Sequence, residues 1–264
     1  MSGTRLRALS LATFAALTTA FALVFFYAPN DADQGFIQKI FYVHVPVAIV
    51  TLVAYVAAAV LAAIHLRTRD RAWDLRSYVV IHIALIFNIM GLLTGAIWAK
   101  ASWGHWWVWD EPTLVSFLIV FLLFATYQPL RFSIEDPERQ ARYASVFAIM
   151  AGAFVPLNFM AVRLAQPFVH PRVFATSSGG LPGSMAFVFV LSLIAIALLF
   201  ATLVAYEIGA KRARWQLRTL QRRLLGADAV APAGRSAAPS GAVGPDALDG
   251  PPAVPSRRPQ GATS

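Results

Sequence analysis

The stretch YVHVPVAIVTLVAYVAAAVLAAI, residues 42–64, runs through 23 positions without an Asp, Glu, Lys or Arg. A bilayer hydrocarbon core about 30 Å thick is crossed by roughly 20 mostly apolar residues in helical form. In lipid the backbone N–H and C=O groups have no water to bind, so a run of this length is satisfied only as a helix. Working outward, five further stretches read the same way: 8–27, 78–99, 113–129, 143–162 and 184–206. The span 113–129 is the shortest, and its ends are the least defined. The pattern predicts an all-α integral membrane protein, a bundle of six transmembrane helices. Composition agrees, with 58% hydrophobic and 13% charged residues among 264 and a mean hydropathy of +0.61. A soluble domain sits near 45–50% apolar and about 25% charged.

Charge placement predicts the orientation. Of 22 Lys and Arg residues, 18 fall at the N-terminus, in the second-to-third and fourth-to-fifth connections, and in the C-terminal tail. Lys39, Lys100, Arg163 and Arg172 fall on the other side. Cytoplasmic flanks collect Lys and Arg, so both termini are expected in the cytoplasm. The net charge of +9 is thereby a topology signal, and a nucleic-acid-binding face is not expected. The first span follows Arg5 and Arg7 as a signal peptide would, but it ends in Phe25, Phe26 and Tyr27 where a cleavage site needs small residues. It reads as a retained helix.

The expected organisation is a membrane domain over 1–210, a basic helical extension over 211–225 and a tail over 226–264. The tail is rich in Ala, Pro, Gly and Ser and poor in large apolar residues, the composition of a segment that does not fold on its own. Within the extension, Trp215, Leu217, Leu220 and Leu224 alternate with arginines, as in a helix lying along an anionic lipid surface. Snorkelling at the end of a transmembrane helix accounts for them equally well. Cysteine is absent, which excludes disulfides, thiolate nucleophiles, Cys-ligated zinc, iron–sulfur clusters and thioether attachment of haem to this chain.

The connection between the third and fourth spans is the most distinctive segment. It reads Ala99-Lys100-Ala101-Ser102-Trp103-Gly104-His105-Trp106-Trp107-Val108-Trp109-Asp110-Glu111-Pro112, and with Trp98 it gathers five of the seven tryptophans into twelve residues. An interfacial aromatic belt accounts for one or two Trp per helix end. Five in one connection fit a platform for a large planar apolar ligand better, since each indole offers a flat face and one N–H donor. His44, just ahead of Pro46, is expected at the mouth of the second span, because Pro favours the first turn of a helix. His170, in Gln166-Pro167-Phe168-Val169-His170-Pro171-Arg172, falls in the connection before the last span. Both share a side of the membrane with the Trp segment, and two imidazoles can fill the fifth and sixth positions of a haem iron. His65 and His82 read as packing or interface residues, and His105 is ambiguous. Haem propionates want Arg or Lys, for which Lys100, Arg163 and Arg172 are the candidates. Asp110 and Glu111 form an acidic pair whose simplest role is to cap the helix beginning near Pro112. Gly91 and Gly95 make a small-xxx-small pair that permits a close helix approach.

At Trp103-Gly104-x-Trp106-Trp107-x-Trp109-Asp110 the chain resembles the WWD signature of the haem-handling proteins of cytochrome c maturation, and within them the CcmC, or haem exporter protein C, family. The resemblance covers roughly residues 5–210. It implies haem b held non-covalently on the outer side of the bacterial plasma membrane, with His44 and His170 as axial ligands. It further implies that Trp103, Trp106, Trp107, Trp109 and Asp110 form the platform and the surface offered to a partner. The implied partners are a membrane-anchored CcmE-type haem chaperone, which takes the haem, and an ATP-binding-cassette (ABC) exporter pair, which releases the loaded chaperone. Similar sequences commonly carry Arg two residues after the signature Asp, whereas Pro112 stands there in this chain. Propionate binding is therefore expected to fall to Lys100, Arg163 or Arg172. The resemblance favours haem delivery over self-sufficient catalysis. A subunit of a cytochrome c haem lyase, of the related CcsA type, is the enzymatic alternative. A small-molecule permease is an alternative of another class, but the span interiors offer chiefly Asn88 and Asn158 as strongly polar groups, a poor basis for a midplane pathway.

Overall fold

Helix after helix follows the apolar runs. A computed structural model describes residues 3–165, 170 and 181–225, and the description below concerns those residues. Seven α-helices occur among them: α1 (Gly3–Phe26), α2 (Phe41–Thr68), α3 (Arg71–Trp103), α4 (Pro112–Ala125), α5 (Tyr127–Phe132), α6 (Pro137–Leu164) and α7 (Gly183–Leu225). A 3-10 turn, Phe36–Ile40, leads into α2. No strand is present among the described residues, only a single bridge between Asp31 and Gly35. Six helical stretches are long and apolar enough to cross a membrane, with α4 and α5 together forming the fourth. The chain is thus a multi-pass, all-α membrane protein. The described residues up to Gln216 form a compact unit, and of those after it Leu217, Leu220 and Leu224 are exposed.

Local chemistry explains where the helices exceed the apolar runs. Helix α3 begins seven residues before its apolar run because the Asp70 side chain caps it, accepting from the Ala72 N–H at 2.8 Å. It ends at Gly104, whose φ of 79° supplies the left-handed C-terminal cap. Helix α6 is opened by Asp136, which accepts from the Arg139 N–H at 2.7 Å. The fourth span breaks into α4 and α5 at Thr126. Pro129 cannot donate a backbone hydrogen bond to the Ala125 carbonyl, which ends the regular ladder there. Helix α2 starts at Phe41, so Pro46 lies inside it, one turn further in than its expected first-turn position. His44 accordingly belongs to the first turn of α2 itself.

Helix α2 occupies the centre. Ala54, Tyr55, Ala58 and Ala62 pack with Val80, Ile81 and Ala84 of α3, Val120 and Phe124 of α4, and Ala144, Ala148 and Ala151 of α6. The Tyr55 and Phe124 rings stack with centroids 3.7 Å apart and planes 8° from parallel. Small residues bring α2 and α6 together: a Cβ on Gly152 would collide with the Ala59 Cβ and lie 3.2 Å from the Tyr55 carbonyl oxygen. Such close backbone approach is the usual device of helix association in lipid, where burial of apolar surface gives little drive. Between α1 and α7, Thr13 and Thr202 share a buried 2.7 Å hydrogen bond. Lys39 is buried as well, donating to the Val24 and Ala28 carbonyls at 2.7 and 2.9 Å, so a cation meets the C-terminal end of α1.

Candidate functional site

At the end of the bundle where α3 gives way to α4, a cavity of about 340 Å³ opens between α2, α3, α4 and α6. Its size falls in the range of small-molecule and cofactor sites, roughly 300–1,000 Å³. Most of the lining is apolar, and His44, His170, Gln34 and Arg163 provide its principal polar groups. The two histidines, 126 positions apart in sequence, thus share one cavity. Each packs edge-to-face with an indole. The His44 and Trp98 rings stand 5.8 Å apart at 77°, and the His170 and Trp103 rings 6.1 Å apart at 70°.

The elements that place these groups are identifiable. His44 lies across the face of α3 formed by Gly91, Thr94, Gly95 and Trp98, which follow one another at helical spacing. A Cβ on Gly95 would come within 2.8 Å of the His44 Cε1, so the ring occupies space that only glycine leaves open. A Cβ on Gly91 would lie 3.1 Å from the Phe117 ring of α4. The Gly91/Gly95 pair therefore admits side chains, whereas at Gly152 a neighbouring helix backbone comes close. His44 Nδ1 lies 3.1 Å from the Thr94 hydroxyl. Beside the Trp segment, Glu111 is fully buried and does two things at once. Its Oε1 accepts from the Thr113 N–H at 3.3 Å, capping α4, and its Oε2 accepts from the His170 N–H at 3.0 Å.

The Trp segment divides. Trp103 and Trp107 line the cavity together with Trp98, whereas Trp106 and Trp109 are 60% and 72% exposed. The Trp107 and Trp109 rings meet edge-to-face at 5.8 Å, linking the lining to the surface. Asp110 is exposed, and it is Glu111 of the acidic pair that caps α4. Lys100 is exposed and donates to the Gly104 carbonyl at 2.8 Å, which ties down the start of the Trp segment away from the cavity lining. Arg163 lines the cavity and stacks on Phe159 at 5.1 Å. Arg172 lies outside the described residues, as does the tail 226–264. Of the remaining histidines, His105 is exposed, His65 is buried with Nδ1 3.0 Å from the Asp70 carbonyl, and His82 stacks on Tyr78.

Sequence reasoning missed Gln34. Its side-chain oxygen accepts from Trp98 Nε1 at 2.7 Å and from the Ser102 hydroxyl at 3.3 Å, steadying one cavity wall. A turn holds it there: Asp31 accepts from the Asp33 and Gln34 N–H groups, and Gly35 takes a φ of 59°. The turn is local to Asp31 and Gly35, but its aim at Trp98 depends on a residue 64 positions away.

These features agree with what the chain is similar to. The sequence profile described as Heme exporter protein C matches residues 1–223. The chain belongs to the haem exporter protein C family. Curated relatives of that name include those of Paracoccus denitrificans, 33% identical over 59% of this chain and 65% of the relative, and Rhodobacter capsulatus, 34% identical over 55% and 60%. The relative from Bradyrhizobium diazoefficiens is 29% identical over 74% of each chain. The chain thus spans about 60–65% of the length of the first two relatives. Within the family's frame, two imidazoles line the cavity, and the described residues hold no cluster of three or more His, Asp or Glu suited to a bare metal ion.

Proposed function

We propose that this protein binds haem b non-covalently through His44 and His170 and presents it for delivery during cytochrome c biogenesis. The observation that carries this reading is the shared cavity: two imidazoles in one largely apolar space, walled by Trp98, Trp103 and Trp107. A porphyrin is planar, apolar across its face and ionised at its propionates, and this lining suits each property. Indole faces and aliphatic side chains take the ring, and imidazole nitrogens take the iron. Arg163, a cation lining the cavity, is suited to a propionate and would supply the charge that Pro112 lacks.

The proposed site faces the outside of the bacterial plasma membrane, because the basic flanks belong to the connections at the other end. Trp106 and Trp109, with Asp110 beside them, form the exposed edge on which a CcmE-type membrane-anchored chaperone would dock to receive haem. ABC exporter subunits complete the proposed assembly. Histidine ligation is reversible, as hand-over requires, and a chain without cysteine does not trap the cargo through thioethers. Purified protein loaded with haem is expected to give a low-spin spectrum with a sharp Soret band. His44→Ala and His170→Ala should each alter or abolish it, while His65→Ala should leave it intact. An unchanged spectrum in the His44→Ala/His170→Ala double variant overturns the ligand assignment.

A further inference from the structure

We infer that Thr94 is a positioning residue that holds His44 in the Nδ1–H tautomer and so reserves Nε2 for iron. The inference rests on the reading of His44 as a haem ligand. Its geometric basis is the hydroxyl's own commitments. Thr94 Oγ1 donates to the Met90 carbonyl, one helical turn back, at 2.7 Å, with the Gly91 carbonyl also near at 3.2 Å. A hydroxyl has a single proton. With that proton directed to the nearer Met90 carbonyl, the oxygen meets His44 Nδ1, 3.1 Å away, through its lone pairs, and Nδ1 is then the donor. A neutral imidazole that is N–H at Nδ1 carries its lone pair at Nε2.

The surroundings reinforce this. Gly95 leaves the imidazole room against α3, and the Trp98 ring, edge-to-face with it, confines it from one side. A ligating histidine whose other nitrogen donates a hydrogen bond is oriented more firmly and is a more basic ligand. Greater basicity favours ferric over ferrous iron, so loss of the hydrogen bond should raise the midpoint potential.

Hemin titration of the full-length protein in detergent, read at the Soret band, and redox titration of the loaded protein test this. Thr94→Val preserves shape and branching but deletes the acceptor. It is expected to weaken hemin binding by about 10–100-fold and to raise the potential. Thr94→Ser restores the hydroxyl and is expected to return both quantities to wild-type values. Wild-type affinity and potential in Thr94→Val, with the spectrum still lost in His44→Ala, would overturn the positioning role and leave the ligand assignment standing. Equal loss in Thr94→Ser and Thr94→Val would also overturn it, since the hydroxyl would then not be the operative group. A spectrum unchanged in His44→Ala would remove the underlying reading and this inference with it.

Discussion

Glu111 is the residue at which sequence and tertiary structure meet most closely. The acidic pair before Pro112 reads as a helix cap in sequence, and Glu111 caps α4. Sequence does not reveal that its second oxygen receives the backbone N–H of His170, 59 positions away. One fully buried carboxyl thus joins the wall behind the Trp segment to the connection that carries a proposed ligand. Loss of a cap costs about 0.5–2 kcal/mol, and the part-buried His170 N–H loses this acceptor as well. Glu111→Ala is therefore expected to lower stability in detergent and reduce haem occupancy. Asp110→Ala, at an exposed position, should change stability by no more than about 0.5 kcal/mol. Chemical unfolding and haem-to-protein ratios of the two variants make the comparison, and equal effects would contradict the assignment of roles.

Among elements, the join between α3 and α5 is fixed by charge. Arg131 donates through both Nη atoms to the two Asp74 oxygens at 2.7 Å, gives a further 3.0 Å bond to the Tyr127 hydroxyl, and lies 4.7 Å from the Tyr78 ring centroid. Both charged side chains are buried. Removing one partner of a buried pair strands the other charge and costs about 3–5 kcal/mol, while replacing both with apolar residues costs far less. Asp74→Ala and Arg131→Met should each be strongly destabilising, and Asp74→Leu/Arg131→Met should be milder than either. A double variant whose loss equals the sum of the singles would show that the two side chains act independently. Sequence placed Arg131 in a basic connection, where such residues serve as topology markers. Its ion pair was not legible, because Asp74 is 57 positions away on another helix.

At the scale of the whole molecule, the apolar runs and the charge bias make a prediction about sidedness. A fluorescent reporter fused after residue 225 should fold and emit in the cytoplasm, and an alkaline phosphatase fused at His105 should be active outside it. Emission lost and phosphatase inactive would reverse the orientation and, with it, the side on which the haem site is proposed.

The six spans, the acidic cap before Pro112 and the prominence of the Trp segment were open to reading in the sequence, because each depends on neighbours within a few residues. Lipid demands helices of a set length, and Asp70, Gly104 and Glu111 act on backbone groups a few positions away. The site depended on contacts across the bundle. Only tertiary structure decided that Trp103 and Trp107 line the cavity while Trp106 and Trp109 face outward, and that Arg163 lines it where Lys100 does not. It also decided that Gly95 clears space for His44 and that Gln34 braces Trp98. Helix rotation and packing set which side chains converge, and a sequence periodicity that satisfies lipid on one face constrains that rotation only loosely.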